Sequence, residues 1–252
     1  MSGRFVGKNV FITGGAIGFG RAFATSFAAE GAGVVIADID DAMADETATA
    51  LRESGANVLA VHCNVAREAE VEQAVAEATE RFGGIDVLMN NAGLHLLEYN
   101  RPFSELPRDS LRALLEVNVV GIVNCTMACR PSMIERGGGA IVNISSIAGY
   151  MSTSPYGVSK LAVRGLTIAL ATELAPDRIR VNALAPGLMA TENAMSGLPQ
   201  ALVDEFVNDR QLVHRLGTMD DIVSAALYLC SDEASFITGE TLRVSGGYPL
   251  AI

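Results

Sequence analysis

The chain has 252 residues, half of them hydrophobic, with 18 Lys and Arg against 29 Asp and Glu for a net charge of −11. So acidic a chain argues against a polyanionic partner, whether nucleic acid or an acidic membrane surface. A charged fraction of 19% is too small to keep long segments disordered, and a large buried core is expected. No run of eighteen apolar residues marks a membrane helix, and the N-terminal residues enter a glycine loop too soon for a signal peptide, so a cytoplasmic location is expected. With no linker in sight, the length suits one α/β domain over 1–252. Cys63, Cys125, Cys129 and Cys230 lack metal-site or redox spacing, so no metal and no disulfide are expected.

Residues 9–13 form an apolar strand that runs into Thr13-Gly14-Gly15-Ala16-Ile17-Gly18-Phe19-Gly20, and an amphipathic helix follows to about residue 30. Strand, glycine turn and helix start are the setting in which backbone amides receive a pyrophosphate. A purely structural turn has the same glycines; the βαβ context favours the phosphate reading. A second strand over 33–37 ends at Asp38, where an acid accepts hydrogen bonds from adenosine ribose hydroxyls. A carboxylate there repels a 2′-phosphate and Ile39 offers no charge to receive one, so NAD is expected over NADP. Asp38 also suits as a cap for the helix over 40–54, a role open to Asp40 or Asp41.

A strand over 57–62 leads to Asn64 and Val65, at a strand end where an adenine would rest. The spacing predicts a surface helix over 67–82 and a fourth strand over 86–89. That strand closes on Asn90-Asn91-Ala92-Gly93, whose small residues let the backbone meet a flat ligand or simply turn. From 106 to 134 the pattern is helical and apolar, with Asn118 in its middle. An amide among valines needs a partner. Asn118 is expected either to satisfy a neighbouring strand or to distort the helix locally, as at functional sites.

Residues 139–145 read as a buried strand with Ser145 and Ser146 at its carboxyl end, where parallel sheets present catalytic side chains. Ser154 is placed to cap the next helix, Pro155 fits its first turn, and Tyr156 and Lys160 then share one face of a helix reaching about residue 174. An ammonium beside a phenol favours phenolate, so Lys160 is expected to draw Tyr156 below its usual pKa of about 10. Alone, Tyr-x-x-x-Lys is also an ordinary half-buried helix face. A strand over 178–183 precedes Pro186-Gly187, then Leu188, Met189 and Thr191. The weakly periodic stretch after it, helical only near 202–207, reads as a substrate lid over about 188–216. A capping box at 218–221 opens a last helix to about 229, and the final strand is 240–244. This alternation predicts a parallel sheet covered on both faces, with right-handed crossovers.

In this order, Thr13-Gly-x-x-x-Gly18-x-Gly20, Asn90-Asn91-Ala92-Gly93, Asn118, Ser146, Tyr156-x-x-x-Lys160 and Pro186-Gly187 resemble the short-chain dehydrogenase/reductase family, over almost the whole chain. The resemblance is to its small, single-domain, NAD-preferring type. It implies a Rossmann-type doubly wound sheet of seven strands and a homotetramer. It implies Tyr156 as general acid/base, Ser146 as a hydrogen-bond partner of the reacting oxygen, Lys160 as ribose ligand and pKa modifier, and Asn118 as anchor of a relay water. Cofactor contacts are implied at Gly14, Ala16, Ile17, Gly18, Phe19, Gly20, Asp38, Ile39, Asn64, Val65 and Asn91. They continue through Ala92, Gly93, Tyr156, Lys160, Pro186, Gly187, Met189 and Thr191. Three departures stand out: Asn64 replaces a common Asp, Phe19 replaces an aliphatic residue, and Ser146 precedes Tyr156 by ten residues where the common spacing is thirteen.

The expected activity is NAD(H)-dependent interconversion of a secondary alcohol and a ketone. Pocket candidates His95, Leu96, Ser146, Ile147, Tyr150, Met151, Tyr156, Leu188, Met195, Leu198 and Phe206 are mostly apolar, which suggests a medium-sized hydrophobic or aromatic substrate. Two alternatives are an NADPH-dependent 3-ketoacyl or carbonyl reductase, opposed by Asp38, and a catalytically silent NAD-sensing protein, opposed by the intact Ser146, Tyr156 and Lys160.

Overall fold

The computed structural model describes residues 3–94, 96–191 and 198–250. Seven parallel strands build one sheet: β1 (Asn9–Thr13), β2 (Gly33–Asp38), β3 (Val58–His62), β4 (Val87–Asn90), β5 (Gly139–Ile144), β6 (Ile179–Pro186) and β7 (Thr241–Val244). Their spatial order is β3-β2-β1-β4-β5-β6-β7. The sheet therefore reverses its winding between β1 and β4, which pair Val10 with Val87 through Ile12 with Met89. A crevice opens at the carboxyl ends of strands at such a switch point.

Strand side chains alternate between two cores. Val10, Ile12, Val34, Ile36, Val142 and Ile144 face one layer, with Phe23 and Phe27 of α1 (Gly18–Ala29) and Ala44, Ala48 and Leu51 of α2 (Asp41–Glu53). The helix Met219–Cys230 completes that layer. Phe11, Val35, Ala37 and Ile141 face the other, with Val71 and Val75 of α3 (Glu68–Phe82) and Leu88 of β4. Runs apolar on both faces, as in β1 and β2, follow from a sheet covered on both sides.

Most expected boundaries lie within two or three residues of the observed ones. Asp40, not Asp38, caps α2 by accepting from the Met43 amide. Thr218 and Asp221 make the reciprocal capping box of the last helix. β6 extends to Pro186, three residues past the expected end. Proline is tolerated there because it is the last strand position, and Gly187 supplies the next amide to the Val244 carbonyl.

The long helix expected over 106–134 is three pieces: α5 (Arg108–Leu115), a π-helical turn Glu116–Val120, and α6 (Gly121–Glu135). Asn118 is the buried residue of the π turn, so the amide perturbs the helix as the sequence suggested. By length and composition alone this composite helix would suffice to cross a membrane. Here α6 packs on α3, β4 and β5. A short turn, α4 (Leu96–Tyr99), precedes it without any periodic signal. After β5 come α7 (Ala148–Met151) and α8 (Pro155–Leu174), the latter capped by Ser154, which accepts from the Gly157 amide.

Candidate active site

A cavity of ≈ 450 Å³ lies over the carboxyl ends of the strands, beside the β1–β4 switch point. Its floor begins at the glycine turn. Gly14 has φ +60, and a Cβ on it would meet the Ala92 Cα at 2.9 Å. Gly18 has φ +54 with open space where a Cβ would stand. Gly20 is buried, and a side chain there would collide with the Gly14 carbonyl, so it lets α1 pack on the turn. Ile17 begins α1 without a side-chain cap. The first amides of the helix are thus available to an anion in the cavity.

Gly14, Ile17, Gly18, Phe19, Asp38 and Ile39 all line this part of the cavity. Ala16 does not: it is buried beneath, its amide donating to Asp38 Oδ2 at 2.9 Å and its carbonyl accepting from Thr47. Asp38 Oδ1 also accepts from the Asp40 amide at 3.2 Å. The carboxylate is held in place at the end of β2, where Asp38 lines the cavity. Asn64 and Val65 line the next stretch together with Cys63. The Asn64 side-chain oxygen accepts from the Ala66 amide at 3.1 Å, forming a tight turn. Burial pushes the Cys63 thiol up to about 12, so it acts as wall and not as nucleophile.

Asn91, Ala92 and Gly93 line the middle of the cavity. The Asn91 side-chain amide donates to the Thr13 and Gly14 carbonyls, tying the β4 end to the glycine turn. A Cβ on Gly93 would stand 3.3 Å from the Asn118 Oδ1 and 3.5 Å from Lys160 Nζ. Pro186, Gly187, Leu188, Met189 and Thr191 form the opposite wall. Backbone freedom and bare glycine surface along one face fit a flat dinucleotide, and Asp38 at the far end fits its ribose hydroxyls.

The polar centre sits between β5 and α8. Ser146 and Tyr156 both line the cavity, with the serine hydroxyl near enough to act on the phenol. α7 makes this possible despite the short spacing: it turns the chain back within one helical turn, with Gly149 packed against Lys160 backbone. Lys160 donates to the Ile144 carbonyl at 2.8 Å, and Ser145 donates to the Lys160 carbonyl at 2.8 Å, so α8 is docked on the end of β5. Asn118 lies behind this layer and does not line the cavity. Its oxygen accepts from the Leu94 amide at 2.8 Å and its nitrogen donates to Ser159 Oγ at 3.2 Å. Ser159 in turn donates to the Tyr156 carbonyl.

Burial pushes the Tyr156 phenol up to about 12, and the hydrogen bond from Ser146 pulls it back in part. The same burial pushes Lys160 down to about 8. The expected lowering of Tyr156 by Lys160 is not met in the protein by itself. Lys160 Nζ lies 5.8 Å from the Tyr156 ring centroid and its proton goes to the Ile144 carbonyl. Desolvation is the largest cause of both shifts.

The substrate side departs most from expectation. Ser146, Tyr156, Leu188 and Leu198 line the cavity, joined by Leu94 and Val117, which the sequence did not single out. Those two flank recognisable marks, Leu94 after the Asn-Ala-Gly turn and Val117 before Asn118. Tyr150, Met151 and Phe206 do not line it. Tyr150 is stacked between the guanidinium groups of Arg164 (3.6 Å) and Arg243 (5.1 Å). Met151 Sδ and the Phe206 ring both meet Tyr248. Ile147 is buried outside the cavity. His95 and Met195 lie outside the described residues, as does the side chain of Leu96.

Comparison with known proteins agrees with this geometry. The family model described as "Enoyl-(Acyl carrier protein) reductase" matches residues 14–249. An uncharacterized oxidoreductase of Mycobacterium tuberculosis is 40% identical over 243 residues, covering 96% of this chain and 98% of that protein. Dehydrogenase/reductase SDR family member 4 of Homo sapiens is 36% identical over 245 residues, covering 96% and 87%. A 7α-hydroxysteroid dehydrogenase solved with NADH and 7-oxo glycochenodeoxycholic acid superposes with a TM-score of 0.91 at 33% identity, covering 97% of this chain and 95% of that one. A putative short-chain alcohol dehydrogenase from Sinorhizobium meliloti gives a TM-score of 0.91 at 32% identity, covering 98% of each chain.

Proposed function

Because the chain belongs to the short-chain dehydrogenase/reductase family and is an oxidoreductase of that type, we propose that it interconverts a secondary alcohol and a ketone with NAD(H). The observation that carries the reading is that Ser146, Tyr156 and Lys160 line one cavity whose other end carries Asp38. Bound NAD supplies the hydride acceptor of its nicotinamide ring. Everything else falls to the chain.

In this reading the first amides of α1 receive the pyrophosphate, Asp38 holds the adenosine ribose, and Lys160 reaches the second ribose across Gly93. Pro186, Gly187, Met189 and Thr191 support the nicotinamide. Tyr156 Oη takes the hydroxyl proton in oxidation and returns it to the carbonyl oxygen in reduction. Ser146 Oγ donates to that same oxygen as charge develops on it. Asn118 fixes the first turn of α8 through Ser159 and serves the outward passage of the proton through a held water. The apolar side chains of Leu94, Val117, Leu188 and Leu198 favour a medium-sized hydrophobic or aromatic substrate.

Asp38 supports NAD over NADP, because its carboxylate repels a 2′-phosphate and Ile39 beside it has no charge. Leu115 and Val120 on one helix, with Leu161 and Ile168 (60% exposed) on α8, leave apolar surface suited to a closed homotetramer. A cytoplasmic location goes with this reading. Absorbance of reduced nicotinamide, followed while secondary alcohols are offered with NAD, tests the whole assignment. Turnover of an apolar secondary alcohol is expected; the absence of turnover across short, long and aromatic alcohols would reject it.

A further inference from the structure

Two elements start next to residues that line the substrate end of the cavity, and one residue outside the cavity touches both. Ser146 stands two residues before α7, which ends at Met151. Leu198 leads into the helix Gln200–Glu205 and the π turn Phe206–Arg210. The chain after β7 then passes beside both. Tyr248, in that tail, packs its ring edge-to-face on Phe206 with centroids 4.9 Å apart. Its hydroxyl donates to Met151 Sδ at 3.6 Å, and the Arg210 guanidinium lies over the same Phe206 ring at 5.4 Å.

The tail is itself fastened on both sides. The Gly246 carbonyl accepts from the Leu212 and Val213 amides at 2.8 and 3.0 Å. Arg243 donates to the Pro249 carbonyl at 2.6 Å while it stacks on Tyr150, the neighbour of Met151. At the far end of the lid, Met189 bridges to Gly217. The stretch 206–213 is thus held by the tail, and the tail is held by α7, whose own first turn closes on Ser146 through the Gly149 amide. Among the described residues, Tyr248 touches both Phe206 of the lid and Met151 of α7.

We propose that Tyr248 is a positioning residue that sets substrate size, by clasping the lid at Phe206 to α7 at Met151 and so fixing how far the cavity opens beyond Ser146 and Leu188. The ring supplies the stiff contact. The hydroxyl supplies direction, since a thioether sulfur is a weak acceptor that must be met from the right side. Lids held by a few contacts govern which substrates are admitted and retained. The proposal rests on the alcohol-oxidising reading above.

The test compares the wild type with Tyr248→Phe and Tyr248→Ala, each as the full chain. Steady-state kinetics with NAD would use 2-butanol, 2-octanol and 1-phenylethanol, and amide hydrogen exchange would be read over 206–213. For Tyr248→Ala we expect a change of about fivefold or more in the kcat/KM ratio of 2-octanol to 2-butanol, carried by KM, with NAD affinity unchanged and faster exchange over 206–213. Tyr248→Phe, which keeps the ring, should show the same changes at smaller size and guards against a folding artefact. An unchanged ratio, or NAD affinity falling in parallel with alcohol affinity, would overturn the proposal. If the wild type oxidises none of the three alcohols, the functional reading fails. The exchange arm then still decides the clasp, which unchanged protection over 206–213 in both variants would refute.

Discussion

Asn118 Oδ1 accepts the Leu94 amide at 2.8 Å, which binds a π-helical turn to the chain leaving β4. The same side chain donates to Ser159, one turn into the helix that carries Tyr156. Removing it leaves a part-buried backbone amide without its partner, at a cost of about 1–2 kcal/mol. Asn118→Ala is therefore expected to lower stability by that amount in urea unfolding and to lower kcat more than it changes NAD affinity. An Asn118→Ala protein as stable as the wild type would show that the two hydrogen bonds contribute little.

Lys160 gives a stability prediction of unusual sign. Its pKa is depressed from 10.5 to about 8, so the fold prefers the neutral amine. The contribution is present above about pH 10.5 and is lost as pH falls through about 8, leaving a buried cation at pH 7. Relief of that cation, offset by the lost bond to the Ile144 carbonyl, leaves Lys160→Met more stable by about 1–2 kcal/mol at neutral pH. The gain should vanish toward pH 10.5, where the wild-type side chain is already neutral. Activity should be lost. A variant less stable than the wild type at pH 7 would contradict the desolvation argument.

Tyr156 sets the pH profile. Its phenol is raised to about 12 by burial, so the protein by itself carries the acid form at neutral pH. Alcohol oxidation, which needs the phenolate, should accelerate from about pH 6 to 10, and ketone reduction, which needs the phenol, should not. Because Ser146 pulls this pKa down, Ser146→Ala should move the rising limb of the oxidation profile to higher pH as well as lowering kcat. The kcat/KM profile of both proteins reads this directly.

Cofactor choice is tested at Asp38. Its two oxygens accept from the Ala16 and Asp40 amides, so Asp38→Ala would leave those donors unpaired. Asp38→Asn combined with Ile39→Arg keeps an acceptor while removing the charge. The double variant should shift the kcat/KM ratio of NADP to NAD by about a hundredfold, since a like-charge clash costs several kcal/mol. An unchanged ratio would take Asp38 out of cofactor selection.

The strands, the glycine turn and the Ser146–Tyr156–Lys160 centre were legible because each rests on local signals: apolar runs, positive-φ glycines, a cap and a four-residue spacing. The π turn was half legible. An amide among valines announced a perturbation at Asn118, but the register change depends on the Leu94 amide arriving from another segment. The substrate side was not legible. Tyr150 and Phe206 look like pocket residues in sequence, yet Tyr150 is taken by two arginines and Phe206 by Tyr248, far from it along the chain. Those partners lie between about fourteen and ninety residues away along the chain, and no periodicity encodes such meetings. The electrostatics of Lys160 misled for a related reason: spacing shows proximity to Tyr156, whereas burial, which decides the sign, appears only in the fold.

The most direct measurement is the turnover of Tyr156→Phe with NAD and a secondary alcohol that the wild type oxidises. Proton abstraction by a positioned side chain is worth about a hundredfold to ten-thousandfold. A loss of that size with NAD affinity retained is predicted. A Tyr156→Phe protein that keeps most of the wild-type kcat would contradict the account.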